Sequence, residues 1–279
     1  MRRLLIRPGG IGDFVLSLPA LRCLSAEHTE VWVASQNLPL ARFADRARSI
    51  ASTGLDWLGL PDREPPGRLV ERLREFDAIV SWYGTNRPEF RDAVRALRLP
   101  FQFLPALPEE SAGVHATDFY MTQARNISDR EAGTVPSIDC PRRDEGFAVI
   151  HPFSGSPKKN WPLERFRELG GQLSGRVPVR WCAGPEENLE GANRFNDLYE
   201  LACWLARATV YIGNDSGITH LAAAAGTPVV ALFGPTDPAV WAPRGPRVRM
   251  VATRAPGQPM ANLSLDEVAA ATLATLPTA

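Results

Sequence analysis

The chain has 279 residues, which suits two domains of roughly 120 to 150 residues each. Hydrophobic residues make up 44% and charged residues 22%, an ordinary balance for a packed globular protein and well away from disorder. With 31 basic and 31 acidic residues the formal net charge is zero, so attraction of the whole molecule to nucleic acid is not expected. A local basic patch on a neutral molecule still permits peripheral contact with the inner face of the cytoplasmic membrane.

The N-terminal run is apolar only briefly and breaks at Pro8, unlike a signal peptide. No window approaches the run of about 18 apolar residues that a membrane span requires. Cys23, Cys140, Cys182 and Cys203 lie far apart without C-x-x-C spacing, and the four histidines are scattered. Neither set suggests a metal site, and reduced thiols in a cytoplasmic protein are the simplest expectation.

In chain order, Leu4–Ile6 reads as a strand, followed by a glycine-rich turn and a helix over 12–24. Strands at 31–34 and 78–80 come next, the latter after a helical stretch at 68–75. Residues 100–108, flanked by Pro100 and Pro108, read as irregular, and 117–126 as helical. Prolines and a charged run over 134–145 mark a linker, dividing the chain into domains of 1–140 and 141–279. Strands then follow at 147–151, 179–182, 209–212 and 229–233, with helices at 163–173, 198–206 and 218–225. A terminal helix over 264–276 has Ser264 as its cap and Glu267 completing a capping box, and it could pack back on the first domain. Alternating strands and helices predict an α/β fold with two Rossmann-like halves and parallel sheets. Ligands of such sheets bind beyond the carboxyl ends of the strands.

Three loops carry groups suited to chemistry. Gly9-Gly10-Ile11-Gly12-Asp13 follows the first strand, where glycines permit close backbone approach and a helix N-terminus offers free N–H groups. It is not the dinucleotide motif G-x-G-x-x-G, and about 20 residues on, Val31 to Ser35 offers no acidic residue to hold a ribose. Asp13 is therefore either a functional carboxylate or simply a helix cap. The second loop, His151 to Pro162, combines serines with Lys158 and Lys159, the only two lysines beside 29 arginines. Hydroxyls and ammonium groups on a Gly/Ser loop suit phosphate oxygens, although a solvated surface loop has the same composition. The third loop, Gly213 to Leu221, runs from strand to helix with Asp215 or Ser216 as cap, a natural seat for a diphosphate. His220 stands in the first turn of that helix. Phe233 to Pro238 continues the next strand into a loop at the same sheet edge.

With these segments in order, the chain resembles glycosyltransferase family 9, the family of ADP-heptose:lipopolysaccharide heptosyltransferases. The likeness rests on Gly9 to Asp13, on Lys159-Asn160-Trp161-Pro162, and above all on Gly213-Asn214-Asp215-Ser216-Gly217-Ile218-Thr219-His220 followed by Phe233 to Pro238. It implies the GT-B fold, two Rossmann-like domains facing a central cleft, and sugar transfer with inversion to a lipopolysaccharide-core or related glycan or glycolipid acceptor. It implies Asp13 as general base, Ser154 and Lys159 on the donor phosphates, and Glu186 near the ribose. Asp215, Ser216, Gly217 and His220 would bracket the diphosphate and the donor sugar. The family needs no cofactor, and the chain has no D-x-D for a metal clamp. Two other activities share the fold: sugar-nucleotide epimerisation, which needs further carboxylates near the anomeric centre, and non-catalytic nucleotide-sugar binding, which has no use for Asp13.

Overall fold

The computed structural model describes all residues except 61–64, 66, 110–112 and 278–279. Its first half contains β1 (Arg2–Arg7), α1 (Ile11–Cys23), β2 (His28–Val33), β3 (Arg46–Ser49), α2 (Gly67–Leu73), β4 (Ala78–Ser81), α3 (Pro88–Ala96), β5 (Phe101–Phe103) and α4 (Ala116–Arg125). The second half contains β6 (Ala148–His151), α5 (Leu163–Ser174), β7 (Val179–Trp181), α6 (Leu198–Leu205), β8 (Val210–Asn214), α7 (Gly217–Ala224), β9 (Val229–Phe233), α8 (Pro238–Trp241), β10 (Val248–Ala252) and α9 (Leu265–Leu273).

Each half builds one five-stranded sheet, ordered β3-β2-β1-β4-β5 and β10-β9-β8-β6-β7. Every pairing is parallel. Parallel strands are covered on both faces, which is why the central strands are apolar throughout: Leu4, Leu5 and Ile6 in β1 and Ile212 in β8 are fully buried. Both orders reverse beside their first strand, between β1 and β4 in one sheet and between β6 and β8 in the other. Such reversals part the flanking loops and open a crevice at the carboxyl ends of the strands. All three loops singled out from the sequence leave strands that border these two reversals.

A single apolar cluster joins the halves. Helix α1 is apolar nearly all round, with Phe14, Val15, Leu16, Leu18 and Leu21 buried, so it packs on its own sheet, on α4 and on α7 together. Residues 126–147 form neither helix nor strand, yet Ile138 is buried and its N–H donates to Ala224 O at 2.8 Å. Arg22 reaches Ser137 O at 2.8 Å. This connection is therefore extended chain laid across the seam between the halves.

Two expectations change. Residues 100–108 are not wholly irregular: Phe101–Phe103 form β5, which pairs with Ile79–Ser81 and sets the rings of Phe101 and Phe103 edge-on to Phe90. The last helix does not return to the first domain. Val268 and Ala269 of α9 join the second core with Phe166, Leu169 and Leu232, and the Ser264–Glu267 capping box forms as expected.

Candidate active site

The switch points face each other across one cavity of about 860 Å³ lined by both halves. From the first come Gly10 to Asp13, Leu16 and Gln36; from the second come His151, Ser154, Lys159, Cys182 to Pro185, Glu187, Asp215 to Ile218, His220 and Thr236.

The β1–α1 turn is pinned from below. Gly9 adopts φ +111°, a region L side chains rarely enter, and a Cβ there would lie 2.9 Å from Asp13 Cβ. Asp13 Oδ2 accepts the Gly10 N–H at 3.0 Å, so Asp13 caps the helix from its first turn. Capping and a place in the cavity coexist in this residue. Asn37 Nδ2 donates to Gly9 O at 3.2 Å. The buried Arg7 donates to Ser17 Oγ at 3.1 Å, Pro8 O at 3.2 Å and Asp13 O at 3.1 Å, with its guanidinium 4.5 Å from the Tyr120 ring centre.

The loops after β6 and β8 are stapled by Asn214, the fully buried last residue of β8. Its Nδ2 donates to Pro152 O at 2.8 Å and its Oδ1 accepts the Trp161 N–H at 3.0 Å. Trp161 is anchored in turn, its Nε1 donating to Leu263 O at 3.1 Å and its ring set edge-on to Phe166. Residues Pro157–Lys159 form one turn of 3-10 helix rather than extended chain, which sends Lys159 into the cavity and leaves Lys158 exposed. Ser154 Oγ lies 2.7 Å from both Ser156 O and Asn160 Oδ1, closing the loop on itself.

Lys159 Nζ meets Asp215 Oδ2 at 2.7 Å, and Thr236 Oγ1 donates to the same oxygen at 2.6 Å. His220 Nε2 lies 3.8 Å from Asp215 Oδ1. Burial pushes the Asp215 carboxyl up, but the nearby His220 and the hydrogen-bonded Lys159 ammonium outweigh it and hold the group at about 2. The Asp215 carboxylate is thus ionised throughout the physiological range. Ser216 caps α7 by accepting the Thr219 N–H, which leaves the first-turn N–H groups of α7 at the positive end of the helix dipole.

The N-termini of α1 and α7 meet glycine to glycine. A Cβ on Gly217 would stand 2.6 Å from Ile11 Cβ and 3.1 Å from the Gly12 nitrogen, and one on Gly12 would stand 3.1 Å from His220 Cδ2. Two helix dipoles therefore point their positive ends into one cleft. Gly217→Ala should cost about 1 to 3 kcal/mol, the usual penalty of overpacking, and should also weaken nucleotide binding. Urea unfolding and calorimetric titration check both effects; a fully stable variant with parental affinity would show that the seam yields freely.

One expectation moves by a residue. Glu186 is exposed and outside the cavity lining, whereas Glu187 lines it. Glu187 Oε2 accepts the Gly184 N–H at 2.6 Å and faces His151 Nε2 at 3.3 Å. Burial pushes the Glu187 carboxyl up, but hydrogen bonds from His151 and Gly184 prevail and hold it below the usual range. Thr236 and His151 line the cavity too; both lie in loops conspicuous in the sequence, but only the fold shows them turning inward. Among the described residues no group of three or more His, Cys, Asp or Glu could hold a metal ion.

Two parallel-sheet lobes facing one cleft define the GT-B class of fold. The structure of the E. coli ADP-heptose lps heptosyltransferase II matches with a TM-score of 0.74 at 17% identity, over 99% of this chain and 98% of that one, and shows the shared fold. The chain belongs to glycosyltransferase family 9 (heptosyltransferase), whose model matches residues 109–266, over half of it. It is 33% identical over 137 residues to lipopolysaccharide heptosyltransferase 1 of Escherichia coli O18:K1:H7, 44% of this chain and 41% of that protein. It is 44% identical over 148 residues to lipopolysaccharide heptosyltransferase 3 of E. coli K12, 46% of this chain and 42% of that protein. These matches span about two fifths of the curated relatives' length.

Proposed function

We propose that the protein is an inverting glycosyltransferase that moves a sugar, heptose by family likeness, from an ADP-linked donor to a lipopolysaccharide-core or related glycan acceptor. The observation that carries this reading is the opposition, across one cavity, of Asp13 and a cationic seat built by Lys159 and the α7 N-terminus. We place the division between an acceptor half and a donor half at about residue 140, within the extended connection. Lys159, Ser154, Ser216 and Gly217 hold the diphosphate, Asp215 fixes Lys159, and His220 flanks the donor sugar. Glu187, in place of Glu186, takes the ribose.

In the transfer step, the acceptor oxygen attacks the anomeric carbon from the face opposite the diphosphate. Asp13 takes the hydroxyl proton as the new C–O bond forms. The anomeric C–O bond to phosphate breaks, its electrons leave with ADP, and Lys159 with the helix N-terminus stabilises the charge that accumulates there. Binding needs no metal on this account. Among the described residues no helix is long and apolar enough to cross a membrane. A cytoplasmic enzyme resting on the inner membrane suits an amphiphilic acceptor.

The donor half of the proposal has a direct test. ADP should raise the melting temperature in the presence of EDTA, since a ligand stabilises the folded state by RT ln(1 + [L]/Kd). Loss of the shift on adding EDTA would overturn metal-independent binding, and a larger shift with UDP or GDP would reassign the base.

A further inference from the structure

Along the carboxyl edge of the second sheet the strands run β8, β6, β7. The phosphate-binding groups follow β8 and β6, whereas Glu187 lies in the 182–187 segment that follows β7. Two strand spacings, about 10 Å, separate the outer loops, a step that leads from a diphosphate to the pentose beyond it. Further along the chain the lining takes in Phe195, Leu198 and Leu201 beside Asn196, a largely apolar surface for a base.

A carboxylate reads a sugar hydroxyl well only if its orientation is set in advance. Glu187 Oε2 carries two neighbours, the Gly184 N–H at 2.6 Å and His151 Nε2 at 3.3 Å, which leaves Oε1 for a ligand. His151 is 2% exposed at the end of β6, and its Nδ1 has no hydrogen-bond partner in the structure. Nε2 is the ring nitrogen that faces the carboxylate, so a proton on Nε2 points to Glu187. In that form the ring can only donate to Glu187. Its own Nδ1 is sealed from the cavity, so His151 acts on a ligand through the carboxylate and not directly.

We propose that His151 is a positioning residue that locks Glu187 to accept a ribose hydroxyl, and so makes the site select ribonucleotide over deoxyribonucleotide donors. This rests on the reading of the cavity as a nucleoside diphosphate site.

Calorimetric titration of ADP, 2′-deoxy-ADP and 3′-deoxy-ADP into the parent, His151→Phe and His151→Gln tests it. A hydrogen bond to a charged group sets the scale: in the parent at least one deoxy nucleotide should bind about tenfold or more weakly than ADP. In His151→Phe that ratio should fall close to one while affinity for the deoxy nucleotide itself is unchanged. His151→Gln, which can still donate an N–H, should restore part of the ratio. Parent ratios near one would overturn the inference, as would equal weakening of all three nucleotides in His151→Phe, the mark of a merely structural role. A parent that binds ADP but shows those results removes only the role of His151; a parent that binds no ADP removes the donor reading beneath it.

Discussion

Asp13→Asn is expected to lower turnover about 100-fold or more while leaving affinity for ADP nearly unchanged, the scale associated with loss of a general base. The substitution is well controlled here. Asp13 caps α1 through the Gly10 N–H, and an asparagine oxygen can accept the same hydrogen bond. Asp13→Asn therefore removes the proton acceptor and keeps the helix start. Asp13→Ala removes both, and its additional cost of about 1 kcal/mol should be visible in urea unfolding. Steady-state transfer from ADP-heptose to a lipopolysaccharide-core acceptor gives the rate, and titration gives the affinity. If Asp13→Asn turns over as fast as the parent, Asp13 is a helix cap and nothing more.

Lys159→Ala is expected to weaken ADP binding by about 10-fold to 150-fold, the range of a charge-assisted hydrogen bond. Lys158→Ala should cost far less, close to the value of an exposed charge, because Lys158 lies outside the cavity. The pairing with Asp215 sharpens the test. Without its lysine, the buried Asp215 carboxylate keeps only Thr236 and His220 beside it and repels the incoming diphosphate. Part of the loss in Lys159→Ala is that repulsion, so adding Asp215→Asn should recover some affinity, as a double-mutant cycle would show. Equal losses for the two lysines would mean a diffuse basic loop. A larger loss for Lys158 would mean that the 3-10 turn faces the other way.

The parts of the fold that could be read from the sequence are those where burial is complete. Central strands β1, β4, β6, β8 and β9 are covered on both faces, and their uninterrupted apolar runs announce them. The strands that escaped notice are at edges. β3 is Arg-Ala-Arg-Ser, held by its parallel ladder to β2 with Arg48 3.1 Å from the buried Glu30, and β10 exposes Arg249 and Met250. Edge strands need only half a hydrophobic pattern, and short ones such as β5 lack the length to display any period. Helix α3 buries only Phe90 and Val94 and hides among its arginines.

The site divides the same way. Glycine-flanked strand-to-helix corners are local, so loops bearing the cavity-lining Asp13, Lys159, Asp215, Ser216, Gly217 and His220 stand out in the sequence. Glu187 could not be separated from Glu186, since a loop has no periodicity to say which neighbour turns inward. Only the Gly184 N–H and His151, brought close by β6 and β7, select it. His151 itself ends an apolar run, where a histidine gives no sign of its neighbours.

The glycine contact between α1 and α7 has a mechanical consequence. Where Gly217 meets Ile11 and Gly12, no side chain of Gly12 or Gly217 stands between the two helices. The spacing between the turn bearing Asp13 and the first turn of α7 is therefore set by backbone and by the β-branched Ile11, not by long side chains that could change rotamer. The parts of the two lobes that face each other in the cleft are held at a separation fixed by the main chain.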